Sequence, residues 1–490
     1  MARILLVNPP NANDAYRSAF GFICPPLGLC SIAAMIRQRG HKVALLDLNQ
    51  LSDKYGVNDA LKVLEATVNS FNAEYVGISI NATCTAPISS IVAKKVKELN
   101  DDIICIAGGH HATFRSSDTL RSGFDYVVKG EGEITFTELI DALEFGDNVN
   151  QVKGIAYMND GRYVETSSRG FIENLDALPI PAIDLLSKKN YILKAFGEGS
   201  SIITAETSRG CPYNCDFCSA SPMWGHRWRV KSNQRILYEL EEIKKDGWKY
   251  VFFVDDNFIT PLNIEVRRKL FQDIIREGID LEWICQIRAD TVVKYPDLIK
   301  LASSAGMRVA FIGVESGDEK VLRRMHKGII PLISEKAITI LKKIGVVTLA
   351  GFIIGAPYES FIQTYRTLKF ALKLCSRGLD AAQFSIFTPL PGSRAFIEAA
   401  QNKLLATKNW ALYDCLRPVL KKNRITSYLA MRWANYIFYL YKWLRGIFSG
   451  NKKFNQLVIE EASKYLMRNL PKHVLGFLKL PLEIIRIITE

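Results

Sequence analysis

Arg209-Gly-Cys-Pro-Tyr-Asn-Cys-Asp-Phe-Cys-Ser219 places three cysteines within eight residues, directly after an apolar run that favours a β-strand. Cys211, Cys215 and Cys218 have the spacing C-x-x-x-C-x-x-C, and the glycine and proline beside the first cysteine favour a loop. Four thiolates would saturate a 4Fe-4S cluster, whereas three thiolates leave one iron open to a further ligand. The stretch therefore predicts an iron–sulfur cluster with an open iron.

Two other uses of these cysteines remain open. A structural zinc site needs four ligands, generally in two pairs, and His226 is the nearest further candidate. A disulfide with a spare thiol requires an oxidising compartment, whereas the N-terminus of this chain leads directly into a strand and lacks the pattern of a secretory signal. We therefore expect a reducing, cytoplasmic location, in which the other cysteines are mostly buried as small apolar residues.

The cysteine motif follows Arg-Gly and has an aromatic residue, Phe217, just before its last cysteine. In this form it resembles the signature of the radical S-adenosylmethionine (radical SAM) enzymes. In that family the open iron chelates SAM, and an electron from the cluster cleaves SAM to a 5′-deoxyadenosyl radical. The resemblance implies a 4Fe-4S cluster and SAM as cofactors, a reducing electron donor as partner, and Phe217 beside SAM.

Alternating strands and helices surround the motif. Apolar runs predict strands at 202–207, 250–254, 283–287, 308–313, 347–355 and 382–387. Six such units suggest the partial barrel of radical SAM enzymes, in which functional groups lie at the C-terminal strand ends. By resemblance, the residues at those ends would hold SAM, with 351–357 bordering the adenine: Asp255, Asp256, Arg288, Glu315, Ser316 and Gly355. Each also has an ordinary alternative, such as a helix cap or a salt bridge.

The first 145 residues show the same alternation. Strands are predicted at 4–8, 43–47, 75–80, 103–108 and 126–128, with helices at 29–40, 57–71, 88–99 and 133–145. This order favours a doubly wound, Rossmann-like parallel sheet. Ligands of such sheets bind beyond the carboxyl ends of the strands. The sequence therefore predicts a ligand site on the loops that follow these five strands.

The loops carry Asn-Pro-Pro, Gly-Gly-His-His-Ala-Thr and Lys-Gly-Glu-Gly-Glu in that order. The series resembles the cobalamin-binding domain that precedes radical SAM domains. It implies cobalamin as a third cofactor, although the chain has no Asp-x-His-x-x-Gly motif to supply a histidine ligand to cobalt. The residues that the resemblance places at this ligand are Asn8, Asp47, Asn81, Thr83, Gly108, Gly109, His110, Gly130 and Glu131.

The predicted order of domains is a cobalamin-binding-like domain at 1–147, a linker at 148–200, a radical SAM domain at 201–400 and a helical extension at 401–490. The linker contains a predicted hairpin at 154–164, whose turn is Asn-Asp-Gly. A proline-rich stretch at 178–182 favours an extended connection to the next domain.

Positive charge is concentrated near the C-terminus. Residues 411–490 contain 14 Lys or Arg against 5 Asp or Glu, which is most of the formal net charge of +13. Within this extension, the runs at 433–441 and 473–488 interleave aromatic and aliphatic residues with Lys and Arg, and neither reaches the roughly 20 apolar residues of a membrane span. Two interpretations are open: an interfacial helix at a membrane surface, or a helical cap that packs on the catalytic domain.

The cobalamin-binding radical SAM group includes hopanoid methylases, the oxygen-independent magnesium-protoporphyrin cyclase, and enzymes that form rings or ether links in membrane lipids. We therefore expect an enzyme that functionalises an unactivated carbon of a lipid or other apolar substrate by C–C bond formation, cyclisation or methylation. A methyltransferase of a soluble natural product is one alternative. An RNA-modifying enzyme is another, although the chain lacks the second cysteine set and RNA-binding β-barrel that would favour nucleic acid.

Overall fold

A computed structural model describes residues 1–10, 23–193 and 199–444, and the second sequence run of the C-terminal extension, at 473–488, lies outside them. The chain divides into two compact units. The first comprises 1–191 together with 222–235, and the second comprises 192–221 and the chain from 236 onwards. The hairpin that the sequence placed in a linker belongs to the first unit, as does the segment that follows the cysteine motif.

The first unit is built on one seven-stranded sheet in the order β2-β1-β3-β4-β5-β6-β7. Its first five strands are parallel, and β6 and β7 are antiparallel. The strands are β1 (Arg3–Asn8), β2 (Lys42–Asp47), β3 (Tyr75–Ser79), β4 (Ile104–Gly108), β5 (Tyr126–Val128), β6 (Ile155–Asn159) and β7 (Arg162–Glu165). The helices are α1 (Leu27–Gln38), α2 (Leu48–Tyr55), α3 (Val57–Phe71), α4 (Ala86–Leu99), α5 (His110–Phe114), α6 (Ser116–Leu120) and α7 (Gly132–Phe145).

The doubly wound fold is confirmed, because separate apolar cores cover the two faces of this sheet. Leu5 and Val7 of β1 belong to one core, and Ile4 and Leu6 belong to the other. Alternate residues of a strand point to opposite faces, so a strand covered on both sides is apolar throughout. The strand order reverses between β1 and β3, and the crevice at such a switch point is where ligands of these folds bind.

The predicted hairpin is formed by β6 and β7. Asp160 and Gly161 both have positive φ, +48° and +74°, as the two central residues of a type I′ hairpin turn require. The hairpin pairs with β5 through β6, and it therefore extends the first sheet at its antiparallel edge. An isolated two-stranded hairpin is only marginally stable in water, which explains why it joins the neighbouring sheet.

The second unit contains a six-stranded parallel sheet whose neighbours follow chain order. Each strand is followed by helical structure, which gives the predicted partial (β/α)6 barrel. The strands of this sheet are β8 (Ile202–Ala205), β11 (Tyr250–Phe253), β12 (Glu282–Ile287), β13 (Met307–Glu315), β14 (Val347–Ile354) and β15 (Ala381–Ile386). A further short strand of this unit is β9 (Ser208–Arg209), whereas β10 (Arg229–Val230) lies in segment 222–235 of the first unit. The remaining helices are α8 (Ala220–Met223), α9 (Asn233–Lys245), α10 (Ile264–Arg276), α11 (Ala289–Lys294), α12 (Pro296–Ser304), α13 (Glu319–Arg324), α14 (Pro331–Ile344), α15 (Phe361–Arg377), α16 (Arg394–Gln401) and α17 (Arg424–Leu444).

Helix α17 contains the first aromatic run of the C-terminal extension. Phe438 is fully buried and makes an edge-to-face contact with Phe384 of β15 at 6.1 Å. The Tyr439 hydroxyl donates a hydrogen bond to the carbonyl of Ala382, and the Lys442 ammonium donates one to the carbonyl of Asp380. For this run the contacts support the helical-cap interpretation, and contact of the extension with a membrane surface stays a prediction. None of the helices among the described residues has the length and apolar character that a membrane crossing requires.

Candidate active site

The three motif cysteines lie together on the loop that follows β8 and β9. All three are free and partly buried, and the amide of Cys218 donates to the carbonyl of Cys215 at 3.1 Å. Burial raises the pKa of the Cys218 thiol to about 12, and the neighbouring Cys215 and Cys211 add to that shift. The three sulfurs are therefore close enough to interact, as ligands of one cluster must be.

Within the described part of the chain, no three or more Cys, His, Asp or Glu side chains converge on a single metal position. A zinc ion would need such convergence, since its sulfur ligands all lie at about 2.3 Å from one centre. The thiolates of an iron–sulfur cluster bind different irons and need not meet at one point.

Two buried cations face the cysteine loop. Burial raises the pKa of Cys215, and Lys327 and Arg288 oppose that shift. The guanidinium of Arg288 stacks on the Tyr213 ring at 3.7 Å, and it is fixed by Asp290 at 3.0 Å and by the carbonyl of Lys327 at 2.8 Å. Arg288 directly follows β12, at the strand end where the sequence placed it, and its contact with SAM stays a prediction. Lys327 was not selected from the sequence. Positive charge at this point favours thiolates and any anionic group bound beside them.

Asp255 has a different setting from the one the sequence predicted. It is almost fully buried, and its carboxylate accepts hydrogen bonds from the amide and hydroxyl of Thr207 and from the hydroxyl of Ser208. Arg267, which is fully buried, lies 3.5 Å away. Both oxygens of Asp255 are thus engaged by protein groups immediately before the cysteine loop. This geometry favours a supporting role for Asp255 over direct contact with SAM.

The next two residues, Asp256 and Asn257, differ in their surroundings. Asp256 is only partly buried, and it contributes to the raised pKa of both Cys211 and Cys218. Asn257 is 2% exposed, and neither its amide nitrogen nor its carbonyl oxygen has a hydrogen-bond partner. A buried amide without partners costs free energy unless a ligand or water satisfies it. Asp256 therefore remains a SAM candidate, and Asn257 joins it although the sequence alone did not select it.

Glu315 lies at an irregular point of β13. It has φ of +63°, and the register between β13 and β14 shifts beside it. Its carboxylate accepts from the Lys327 ammonium at 2.7 Å, and both side chains are about nine-tenths buried. A bulge with a strained residue is typical of functional sites. The hydroxyl of the adjacent Ser316 instead forms a hydrogen bond with the hydroxyl of Thr367 of α15 at 2.8 Å. This contact favours a structural role for Ser316, in which its hydroxyl fixes the end of β13 to α15.

The loop after β14 contains Gly355, the last of the predicted SAM residues. Gly355 has φ of +85°, and a Cβ at this position would lie 2.2 Å from the Ser427 hydroxyl of α17. The carboxylate of Glu359 accepts from the amides of Gly355 and Ala356, at 2.7 and 3.3 Å. The C-terminal helix and this loop therefore pack on each other, which the sequence did not indicate.

Substitution of Glu359 by glutamine is expected to change the pH dependence of stability. Burial raises the pKa of Glu359 from 4.5 to about 7, so the folded protein holds this proton more tightly than the unfolded chain does. Native stability therefore decreases as pH rises from about 4.5 through 7, by up to about 3 kcal/mol. Glutamine does not titrate, so the variant should gain stability relative to the wild type over this range. Urea unfolding at pH 5 and pH 8 measures the change, with exposed Glu398→Gln as control, and an equal difference at both values would contradict the assignment.

In the first unit, the predicted ligand residues lie at the carboxyl edge of the sheet. The Asn8 amide donates to the Asp47 carboxylate at 2.8 Å, and the Tyr191 hydroxyl donates to its other oxygen at 2.7 Å. Asp47 also accepts from the amides of Asn49 and Gln50 as the N-cap of α2. Asn8 and Asp47 are therefore brought together as predicted, but the Asp47 side chain is engaged by protein donors. Thr83 is also buried, and Asn81 is exposed beside it.

Gly109 is the conformationally demanding position of this edge. It has φ of +102°, and a Cβ there would lie 2.9 Å from the Ile80 backbone and 2.6 Å from the Asn81 amide oxygen. Gly108 is less restricted, with its nearest neighbour at 3.8 Å. Only glycine fits at 109 without displacing the end of β3, which forms one side of the switch point.

Gly109→Ala is therefore expected to destabilise the first unit by about 1–3 kcal/mol and to weaken cobalamin binding at least tenfold. Gly146→Ala is a matched control, because Gly146 at the end of α7 has φ of +72° but no atom within 4 Å of the position that a Cβ would take, so that only backbone strain remains, and it is not among the predicted cobalamin residues. Denaturant unfolding and an absorbance titration with hydroxocobalamin provide the two readouts. Equal effects of the two substitutions would show that close approach at Gly109 is unimportant.

His110 and Glu131 have distinct surroundings. Burial lowers the pKa of His110 to about 4, so its imidazole is neutral, and its ring lies edge-on to Trp224 at 6.2 Å. The Glu131 carboxylate pairs with Arg229 at 2.9 Å and accepts from the Ile172 amide. Glu131 is thus a buried anchor for segment 222–235, whose membership of this unit the sequence did not indicate.

Two family models match the chain. Residues 14–140 match the family model described as "B12 binding domain", and residues 205–371 match "Radical SAM superfamily". An uncharacterised methyltransferase of Pyrococcus horikoshii is 37% identical over 429 residues, which cover 87% of this chain and 89% of that protein. The chain belongs to the cobalamin-binding radical SAM family. It is an enzyme of that family, with a 4Fe-4S cluster, SAM and cobalamin as its cofactors.

Other relatives agree with this family. The hopanoid C-3 methylase of Methylococcus capsulatus is 29% identical over 399 residues, covering 81% of this chain and 72% of the methylase. Among solved structures, the cobalamin-dependent SAM radical enzyme OxsB has a TM-score of 0.72 at 18% identity, covering 98% of this chain and 75% of that one. The methyltransferase TsrM of Kitasatospora setae has a TM-score of 0.65 at 17% identity, covering 83% and 76%. These two likenesses support the fold.

The residues of the second unit fit the cofactors of the family. The three thiols share one loop, Arg288 and Lys327 supply positive charge beside it, and Asn257 offers an unpaired buried amide. In the first unit, Gly109, with its positive φ, allows the loop after β4 to pack closely against the backbone at the end of β3. The cysteines would hold the cluster, and the polar groups around them would hold SAM.

Proposed function

We propose that this protein is a cobalamin-dependent radical SAM methylase that acts on an unactivated carbon of a lipid-class, apolar substrate. The observation that carries the proposal is the extent of its likeness to methyltransferases. It resembles one along 87% of its length and a hopanoid methylase along 81%. Magnesium-protoporphyrin monomethyl ester cyclase of Synechocystis is also similar, at 29% identity over 72% of the chain. Ring formation is therefore the alternative reaction.

The bound cofactors would supply a strongly oxidising carbon radical from SAM and a methyl carrier in cobalamin. The residues of this chain then have positioning roles. Arg288 and Lys327 place positive charge beside the thiolates, where the SAM carboxylate would also bind. Asp256 and Asn257 would accept and donate hydrogen bonds to SAM at the end of β11. The buried surroundings of these groups favour exclusion of water from a reactive radical.

An apolar substrate is favoured by the kind of chemistry involved. Radical abstraction of hydrogen is needed where a carbon has no neighbouring group to acidify or activate it, as in alkyl and polycyclic lipid skeletons. Hopanoid methylases appear twice among the relatives of this chain, with C-3 and C-2 specificity. Fold alone does not select a substrate, so this step depends on the relatives and on the chemistry.

The test is anaerobic reconstitution with iron, sulfide and hydroxocobalamin, followed by reduction with dithionite in the presence of SAM. We expect about four irons and one cobalt per chain and formation of 5′-deoxyadenosine. SAM labelled in its methyl group should then transfer label to detergent-solubilised neutral lipids. Label that stays out of the lipid fraction while 5′-deoxyadenosine forms would contradict the substrate assignment, and absence of 5′-deoxyadenosine would contradict the reaction class.

A soluble substrate is the second candidate. Cytidylyl-2-hydroxyethylphosphonate methyltransferase of Streptomyces wedmorensis is 26% identical over 447 residues, covering 81% of each chain. A polar, phosphorus-containing substrate is therefore compatible with this architecture. Transfer of label to water-soluble metabolites, with none in lipids, would favour this candidate.

A further inference from the structure

Large apolar side chains are exposed where α15 begins. Phe361 is 77% exposed, Ile362 is 63% exposed and Tyr365 is 57% exposed. Their positions at i, i+1 and i+4 place them on one side of the helix, since successive residues are rotated by about 100°. The buried residues of α15 begin at Thr367 and lie on the opposite side. The three exposed side chains therefore contribute little to the packing of α15 on the barrel.

The beginning of α14 shows the same feature. Ile330 is 41% exposed and Leu332 is 50% exposed, on either side of the proline that starts the helix. In a parallel α/β barrel the helices run antiparallel to the strands, so both helices begin at the rim formed by the C-terminal strand ends. The cysteine loop and the polar groups at the ends of β11 and β13 lie at this same rim.

Basic residues flank these apolar side chains. Lys320, Arg323 and Arg324 of α13 line a cleft of about 370 Å³ together with Gln363, which lies in the first turn of α15. Arg323 pairs with Glu319 at 2.9 Å, whereas no ion pair joins Lys320 or Arg324 to another described residue. The Gln363 amide also donates to Asp318, next to α13, at 3.0 Å. The basic cleft and the apolar turn of α15 are therefore neighbours.

We propose that this rim patch, formed by Ile330, Leu332, Phe361, Ile362, Tyr365, Lys320 and Arg324, docks the protein on an anionic lipid bilayer. Apolar side chains that enter the interface, with cations at the headgroups, are the combination by which proteins bind membrane surfaces. The orientation would bring the catalytic rim towards the membrane, which shortens the path of a lipid from the bilayer to the site. The functional role of docking depends on the proposed lipid substrate. Docking itself is measured as vesicle binding, without catalysis.

Flotation of the full-length protein with vesicles tests the patch. The probes are vesicles of phosphatidylcholine alone and of phosphatidylcholine mixed with phosphatidylglycerol. We expect binding to the mixed vesicles that weakens with salt, and a loss of at least about tenfold in the variant Phe361→Ser, Ile362→Ser, Tyr365→Ser. The matched control replaces three exposed apolar residues elsewhere, in Phe145→Ser, Tyr238→Ser, Ile275→Ser (75%, 50% and 45% exposed), and should bind as the wild type does.

A second pair of variants tests the charges. Lys320→Gln with Arg324→Gln should reduce binding to the anionic vesicles about tenfold and leave binding to phosphatidylcholine unchanged. Its control, Lys249→Gln with Lys343→Gln, alters exposed lysines that adjoin the opposite ends of the strands. All of these side chains are exposed, and circular dichroism and thermal unfolding will confirm that each variant folds.

Three results would overturn the proposal: no binding of the wild type to either vesicle, equal binding of the rim and control variants, or loss of binding only when 445–490 are removed. Binding of a reduced acidic flavodoxin that depends on the same residues, without vesicle binding, would instead assign the patch to a soluble electron donor. SAM cleavage by the dithionite-reduced enzyme is measured in solution for every variant. Normal cleavage with failed docking would overturn the docking surface alone.

Discussion

Cys215→Ala is expected to abolish reductive cleavage of SAM and to lower the iron bound after reconstitution to the background of the assay. Two thiolates remain on the loop in this variant, and they leave two irons of the cluster without a protein ligand where the wild type leaves one. The neighbouring cations should not compensate, since Arg288 and Lys327 provide charge but no metal ligand. Iron analysis and 5′-deoxyadenosine formation under dithionite measure the effect.

Cys375→Ala is the matched control. Cys375 is a buried cysteine of the same unit, in α15, and its removal should cost only the small cavity left by the sulfur. That variant should bind iron and cleave SAM as the wild type does. A Cys215→Ala protein that retained cluster and cleavage would refute the assignment of the motif.

Asp255→Ala is expected to destabilise the second unit by about 3–5 kcal/mol, which is large against the stability of an ordinary domain. The substitution leaves Arg267 charged and fully buried without its carboxylate, and it also removes the acceptor of Thr207 and Ser208. Denaturant unfolding measures the loss. The exposed Asp297→Ala, at the start of α12, should cost less than about 1 kcal/mol.

A double variant separates support from ligand binding. Asp255→Ala combined with Arg267→Met removes both charges, so it should recover part of the lost stability. If Asp255 acts only as support, the folded double variant should bind SAM with nearly normal affinity, as measured by calorimetry on the reconstituted protein. Restored stability with SAM affinity reduced more than about tenfold would instead return Asp255 to the SAM site.

The fold was predictable because its strands are buried on both faces. Such strands form continuous apolar runs, and the predicted ranges agree with β1, β5, β12 and β15 to within one residue at each end. Helix α3 was predicted with its observed bounds. The short helices α2, α5 and α6 were missed, since each is too short to show a helical period and begins directly at a strand end or a loop.

The candidate site was predictable only in part. The cysteine spacing is local in sequence and determines its own chemistry, whereas the role of Asp255 depends on Arg267, twelve residues away on a helix. Lys327 follows a helix and a turn, with nothing in the sequence to pair it with Glu315. Segment 222–235 was assigned by proximity to the cysteine motif, but its buried Arg229 pairs with Glu131, 98 residues earlier. Long-range partners of this kind leave no local pattern.

The contacts of α17 with β15 have a consequence for association. β15 is the last strand of an open sheet, so its outer backbone groups could pair with a strand of another chain. Tyr439 and Lys442 occupy the carbonyls of Ala382 and Asp380, and Phe438 covers Phe384. The helix thus covers this edge and protects the protein against edge-to-edge aggregation. A chain shortened before residue 424 would expose β15 as an unpaired edge strand that is prone to aggregate, although it would keep every cysteine of the motif.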